Sequence, residues 1–381
     1  MDDLFSDIGA IVRGGSNRIV SVHNAVVDVA YQVPLTLAQY KEKLELGEQR
    51  FHGPKQERIG GGGINFALTA SSLGFPGIVF AGFMDRCARC LVDRIKKAEG
   101  IRLPVHSVQT SPRRNTILEL EDMNILFHDS SSSVADMKAL ARMVGGLGLS
   151  KSDWIASCSF YENITIPMMD LASRIFLDSG YGYPRREKMM MSRICGPAAE
   201  RRLRDLVIAA NETEMNNLCD EFGVHGHSLM DRGPMLADIL GARIGGMVKV
   251  LLHTMSFTAV FEPGQKDRWA VPCLDISLRR RTNAGDTHAG AFMAAYDATG
   301  DARLAAFYGN AAAAKRLADD EMPTQANVAA FLRRSRLKNA EPAGARILGP
   351  AHLKEIMLQR ASSACATASR GGARPALQIL K

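Results

Sequence analysis

Three features of the 381-residue sequence predict an α/β protein, with a mainly parallel sheet held between two layers of helices. Short apolar runs rich in Val, Ile and Leu recur at 19–22, 78–82, 153–157, 175–178, 206–210 and 247–252. Stretches with helical spacing stand between or after them, as at 65–73, 90–98 and 302–317. Polar or glycine-rich residues then follow several of the runs, at the carboxyl edge where open parallel sheets bind ligands.

The bulk composition is that of a folded enzyme-sized chain. Hydrophobic residues make up 46% and charged residues 23%, which leaves ample apolar material for a core. No apolar run reaches the length of a bilayer span, and the opening Met1-Asp2-Asp3 is not expected to act as a secretory signal. The net charge of +7 is concentrated at one end. From Phe331 onward there are ten Lys/Arg and two Asp/Glu, a balance of +8, so the rest of the chain is close to −1. A near-neutral body argues against nucleic-acid binding. The seven cysteines are scattered, which suggests reduced thiols and a cytoplasmic location. Cys87-Ala88-Arg89-Cys90 lacks the second ligand pair of a zinc site.

In chain order, Ile19–Val22 is the first strand, and His23-Asn24-Ala25-Val26-Val27-Asp28 follows it, placing Asp28 just past the strand at the ligand edge. The polar stretch 29–58, with Pro34, interrupts the α/β rhythm as an insertion. Gly60-Gly61-Gly62-Gly63 lets the backbone come close to a ligand, and Asn65 opens a helix that Gly74 and Pro76 stop. A dinucleotide loop would need a third glycine at Rossmann spacing directly after the first strand, and neither condition is met. A strand at 78–82 and a helix at 90–98 come next, and 103–127 alternates as strands. A helix is expected over 166–174, a loop plus helix with Met189, Met190 and Met191 over 181–202, and a helix over 330–336. Asn211-Glu212-Thr213-Glu214 closes the strand at 206–210. Asn211 and Glu214 have the spacing of a capping box, and the same pair could order metal-bound waters.

The most informative stretch is Thr282-Asn283-Ala284-Gly285-Asp286-Thr287-His288. Phe292, Ala295 and Tyr296 continue it at helical spacing, so Asp286 stands in the first turn of a helix. Backbone N–H groups of Ala284, Gly285 and Asp286 would be free to hold an anion. A carboxylate beside such a cradle can take the proton of an attacking hydroxyl. The plainer reading is an acidic residue that stabilises the helix dipole.

These motifs together resemble the ribokinase-like (PfkB) carbohydrate kinases, a family that includes adenosine kinase. Thr282, Ala284, Gly285, Asp286 and Thr287 match its second signature; Gly60, Gly61, Asn65, Ala67, Leu73 and Gly74 match its first. Asn24 and Asp28 follow its acceptor pattern, and Asn211 with Glu214 its Asn-x-x-Glu motif. Asn283, His288 and His23 depart from the usual letters, and His253-Thr254-Met255-Ser256-Phe257-Thr258 lacks the two glycines that touch nucleotide phosphates in the family.

The resemblance, which spans roughly residues 18–332, implies a three-layer α/β/α kinase domain over residues 1–340. It also implies a small β lid built from about 29–59 and 103–128, and a basic, mobile tail follows at 341–381. Asn24, Asp28, Gly60, Gly61 and Asn65 would bind a sugar or nucleoside. Asp286, Gly285, Ala284 and Asn283 would form the catalytic loop. Asn211, Glu214, Thr254 and Thr282 would face ATP, with Glu214 near Mg²⁺. A homodimer would form through the lid. A different class of function is a sugar-sensing or assembly subunit that kept the fold without catalysis, motivated by the missing glycines and the basic tail.

Overall fold

Apolar runs such as Leu206-Val207-Ile208-Ala209-Ala210 have no polar face, so they are stable only when covered on both sides. The computed structural model, which describes residues 1–45, 55–112, 114–121, 124–127, 137–158, 162–178, 190–245, 247–278, 282–340, 342 and 344–371, covers them in that way.

The first half of the chain forms α1 (Asp2–Arg13), β1 (Ile19–Gln32), α2 (Leu37–Glu45), β2 (Lys55–Gly60), α3 (Gly62–Ser72), β3 (Ile78–Met84), α4 (Arg86–Glu99), β4 (Val105–Gln109), β5 (Arg114–Glu119), β6 (Asn124–Phe127), α5 (Met137–Gly145), β7 (Trp154–Ser157), α6 (Glu162–Met169) and β8 (Arg174–Asp178). The second half forms α7 (Met190–Glu200), β9 (Asp205–Ala210), α8 (Glu212–Glu221), α9 (Leu229–Ile244), β10 (Met247–His253), β11 (Phe257–Phe261), β12 (Trp269–Pro272), β13 (Leu274–Asp275), α10 (Ala284–Thr299), α11 (Ala302–Asp319), α12 (Gln325–Leu332), β14 (Arg336–Leu337), β15 (Arg346–Ile347) and α13 (Pro350–Gly371).

The main sheet runs β4-β3-β1-β7-β8-β9-β10 in parallel, continued by antiparallel β11 and β12 and by β15 at the edge. Alternate residues of each strand feed two separate cores, as the period of two demands. Val207, Ala209 and Leu251 join α1, α3, α10 and α11 on one face. Leu206, Ile208, Ala210 and Leu252 join α8 and α9 on the other. This is a three-layer α/β/α arrangement, as the alternation of elements predicts.

Several expectations are corrected. The first strand does not stop at Val22. β1 continues to Gln32, so Asn24 and Asp28 stand inside it. Its second half leaves the main sheet and pairs with β2 on one side and β5 on the other, with β6 beyond β5. The strands expected over 103–127 are shared out: β4 extends the main sheet, and only β5 and β6 build the small one. Residues 46–54, 113, 122–123 and 128 of the expected lid segments, and the loop 181–189 that includes Met189, lie outside the described residues.

The helix expected over 166–174 is α6, and Arg174 already belongs to β8. The helix expected over 330–336 is α12, capped at Thr324 by a capping box and finished at Leu332. The tail is not a loose segment through its first half. β15 pairs with β12, Leu353 and Met357 of α13 are buried, and Arg360 donates to the Asp301 carboxylate at 3.0 Å. Its charge count concealed an apolar stripe of Leu348, Leu353 and Met357 that has somewhere to pack. Residues 372–381 lie outside the described residues.

Candidate active site

Two helix N-termini converge because two helices touch backbone to backbone. Gly290 of α10 lies against α3, and a methyl group there would sit 2.4 Å from the Phe66 carbonyl oxygen. That close approach brings the first turn of α10 to the first turn of α3. A methyl group on Gly62 would lie 3.0 Å from Asp286 Oδ1. The Gly-rich loop and the Gly-Asp stretch, more than two hundred residues apart in sequence, therefore share one site.

The first compartment is built on β1, β2 and α3. Asp28 is 7% exposed, and Asn115 of β5 donates to its Oδ1 at 2.9 Å. The ladder pairs Asp28 with Asn115 on one side and Arg58 on the other. A methyl group on Gly60 would come within 2.2 Å of the Asp28 carboxyl, so the glycine makes the room this carboxylate occupies. Gly61 has φ +99°, and a side chain there would meet the Asn24 carbonyl oxygen at 2.1 Å. Asn65 is buried, and its Nδ2 donates to the Gly61 carbonyl at 3.2 Å, tying the loop to the helix it opens. Asn115 is a candidate site residue that sequence reasoning missed. Its only sequence signal was a place in an alternating strand.

The second compartment is a cavity of about 400 Å³ beside the first turn of α10. Ala284 and Gly285 of α10 line it, with Asn211, Glu212 and Thr213 from the start of α8 and His253, Thr254 and Met255 from the end of β10. Asn310, Ala314 and Leu317 of α11 form a wall, and Cys273, Leu274 and Lys338 complete it. Neither Glu214 nor Thr282 nor Asn283 lines the cavity.

Asn283 holds φ 65°, a left-handed conformation that Asn tolerates better than most residues. This is why it can stand where the resembling kinases have Gly or Ala. Its Nδ2 is buried with no partner among the described residues. Asn211 and Glu214 form a reciprocal capping box, with Glu214 N–H donating to Asn211 Oδ1 at 3.0 Å and Asn211 N–H to Glu214 Oε2 at 2.8 Å. Thr254 closes its own turn: its hydroxyl donates to the Phe257 carbonyl at 2.9 Å and accepts from the N–H groups of Ser256 and Phe257. A hydroxyl-closed turn thus takes the place of a glycine loop.

Two imidazoles form the floor. His253 and His288 stack with ring centroids 5.4 Å apart. Burial holds His253 down at about 4. Burial first, and then His253, hold His288 well below its ordinary value. Both rings are neutral near pH 7. Thr258 spends its one proton on Asn310 Oδ1 at 2.7 Å, so His288 Nε2 donates to Thr258 Oγ1 across 3.2 Å. Asn310 in turn donates to the carbonyls of Val271 and Pro272. Burial pushes the Cys273 thiol up to about 12, leaving it neutral as well. His253, Thr258 and His288 fall in stretches already compared with the family's motifs, whereas Asn310 and Cys273 carry no motif in the sequence.

No family model matches the chain, and no curated protein matches it. Solved structures do. A ribokinase from Thermotoga maritima is 18% identical with a TM-score of 0.59, covering 84% of this chain and 100% of its own. The ribokinase of Arabidopsis thaliana, solved with ribose and ATP, is 19% identical with a TM-score of 0.59, covering 84% of this chain and 99% of its own. Phosphofructokinase-2 of Escherichia coli, solved with fructose 6-phosphate, is 15% identical with a TM-score of 0.60, covering 84% of this chain and 100% of its own.

This chain has the ribokinase-like fold. Within the ribokinase-like fold, both signatures fall at the junction of the two compartments. Among the described residues no group of three His, Cys, Asp or Glu is arranged to hold a metal ion, and no helix is long and apolar enough to cross a membrane.

Proposed function

We propose that the protein is an ATP-dependent phosphotransferase acting on a hydroxyl of a sugar or nucleoside. The observation that carries this reading is the position of α10's first turn. Ala284 and Gly285 face the cavity, while Asp286 Oδ1 reaches the Gly-rich loop beside Asp28. One short segment therefore spans the interval between a donor and an acceptor.

In this reading Asp28, set by Asn115 and given room by Gly60, holds acceptor hydroxyls together with Asn24, Asn65 and the backbone at Gly61. Asp286 accepts the proton of the attacking hydroxyl, which is a poor nucleophile until that proton leaves. The N–H groups of Ala284, Gly285 and Asp286, at the start of α10, would stabilise charge on the transferring group. The cavity fits a nucleotide in volume and in its apolar and imidazole lining. With no three-ligand cluster among the described residues, Mg²⁺ would be held mainly by donor phosphates and by waters ordered near Asn211 and Glu214. It would supply neutralisation of phosphate charge. Thr282 and Thr254 would serve by shaping the loops that border the donor. The same proposal places the protein in the cytoplasm, and a homodimer in it would use the small sheet.

Mg-ATP with ribose, fructose 6-phosphate and adenosine in turn, read by ADP release, tests the reaction. Asp286→Asn keeps the shape and loses the base, so kcat should fall about 10²–10⁴-fold with ATP affinity kept. Normal kcat in that variant would refute the assignment. The second reading is a non-catalytic sensing subunit, favoured by the turn that Thr254 closes on itself. It predicts acceptor binding without ADP release from ATP in the presence of any acceptor.

A further inference from the structure

A nucleotide donor brings several negative charges into a cavity whose wall is largely apolar. The loop after β10 offers little to meet them. Thr254's hydroxyl is committed to its own turn, and Met255 and Thr258 stand where resembling kinases carry glycines. The ionisable side chains at the cavity are Glu212, which is exposed, Lys338, Cys273 and the two imidazoles.

We propose that Lys338 is the residue that contacts the donor phosphates, a side-chain cation supplying what the missing glycine amides would otherwise provide. The inference rests on reading the cavity as the donor site.

Lys338 comes from the far end of the chain and is held firmly. β14 pairs with β13, Leu337 opposite Leu274, and the Lys338 N–H donates to the Cys273 carbonyl at 2.8 Å. Its ammonium donates to the Met255 carbonyl at 2.7 Å, within the loop that lost its glycines. A carbonyl satisfies one of the three ammonium donors and none of the charge. No carboxylate pairs with Lys338 among the described residues.

The placement also suits a triphosphate. His253 touches the start of α10, its Cε1 lying 3.5 Å from where a methyl on Gly285 would sit. Met255 is two residues further on, a span of at most about 7 Å at extended-chain rise. With a terminal phosphoryl group at the N–H groups of α10, the ammonium falls within reach of the inner phosphates. An ammonium on a flexible stem acts there as a point charge, and it swings from the carbonyl to the phosphate without backbone movement.

Equilibrium binding of ATP, ADP and adenosine to the full chain separates charge from shape. Lys338→Met keeps the stem and removes the ammonium. It should weaken ATP and ADP about tenfold to hundredfold and leave adenosine unchanged, with a shallower salt dependence for ATP. Lys338→Arg should stay close to wild type. Wild-type ATP affinity in Lys338→Met would overturn the proposal. Equal weakening of adenosine would also overturn it, by showing that Lys338 only shapes the wall. A wild-type protein that binds none of the three would instead overturn the donor reading of the cavity, and this inference with it.

Discussion

Gly60→Ala puts one methyl group into the space of one carboxylate. The backbone at Gly60 is not at positive φ, so alanine can adopt it. The cost arises from what the methyl meets. It would lie 2.2 Å from Cγ, Oδ1 and Oδ2 of Asp28, against about 3.5–4 Å for ordinary contact. Relieving the contact by rotating Asp28 gives up the 2.9 Å hydrogen bond from Asn115. Overpacking costs about 1–3 kcal/mol, and a hydrogen bond to a charged group contributes about 1.5–3 kcal/mol. Relief of one increases the other, so the net loss should be about 2 kcal/mol, or about 2–3 °C in Tm for a chain of this length. Displacing Asp28 should also raise the acceptor KM at least about tenfold, equivalent to about 1.4 kcal/mol, with the ATP KM unchanged. In an Asp28→Ala background the obstacle is gone. There Gly60→Ala should cost under about 0.5 kcal/mol, a non-additivity that a double-mutant cycle reads directly. Thermal unfolding of the four proteins and acceptor kinetics of the two singles decide the matter. Wild-type Tm and KM in Gly60→Ala, or an undiminished loss in the Asp28→Ala background, would refute the reasoning.

Leu353→Ala tests whether the C-terminal helix is part of the body. Leu353 is fully buried, and such truncations cost about 2–5 kcal/mol, so a Tm drop of at least about 2 °C is expected; a change within about 0.5 °C would show that α13 does not dock. The imidazole pair makes stability depend on pH. His253 titrates at about 4 in the fold against 6.5 unfolded, so its stabilising share is complete above pH 6.5 and is lost as pH falls towards 4. The loss is at most about 3 kcal/mol, less because His253 faces a cavity that water enters. His253→Gln should flatten Tm against pH between 6.5 and 4, and an unchanged slope would contradict the assignment.

Local rules settled much of this protein from its sequence. The all-apolar strand at 206–210 required cover on both faces, which already implied three layers. Gly-Asp ahead of a helical period placed Asp286 in a first turn, and the Asn211–Glu214 capping box was legible from a spacing of three. Each of these depends on interactions within one or two turns of chain, and such interactions are written in consecutive letters.

Tertiary structure decided the rest, because the partners are remote. Whether β1 stops at Val22 or runs on depended on β2 and β5 being available to pair with its second half. Asp28 needed Asn115 from a strand 87 residues on and the absence of a side chain at Gly60. The basic composition after Phe331 suggested a solvated tail, and the outcome turned on whether a few apolar residues found a surface to cover. Lys338 at the mouth of the cavity is the extreme case. No pattern around it marks a ligand contact, since its neighbours at Met255 and Cys273 are brought to it only when the sheet, α11 and the last strands have assembled.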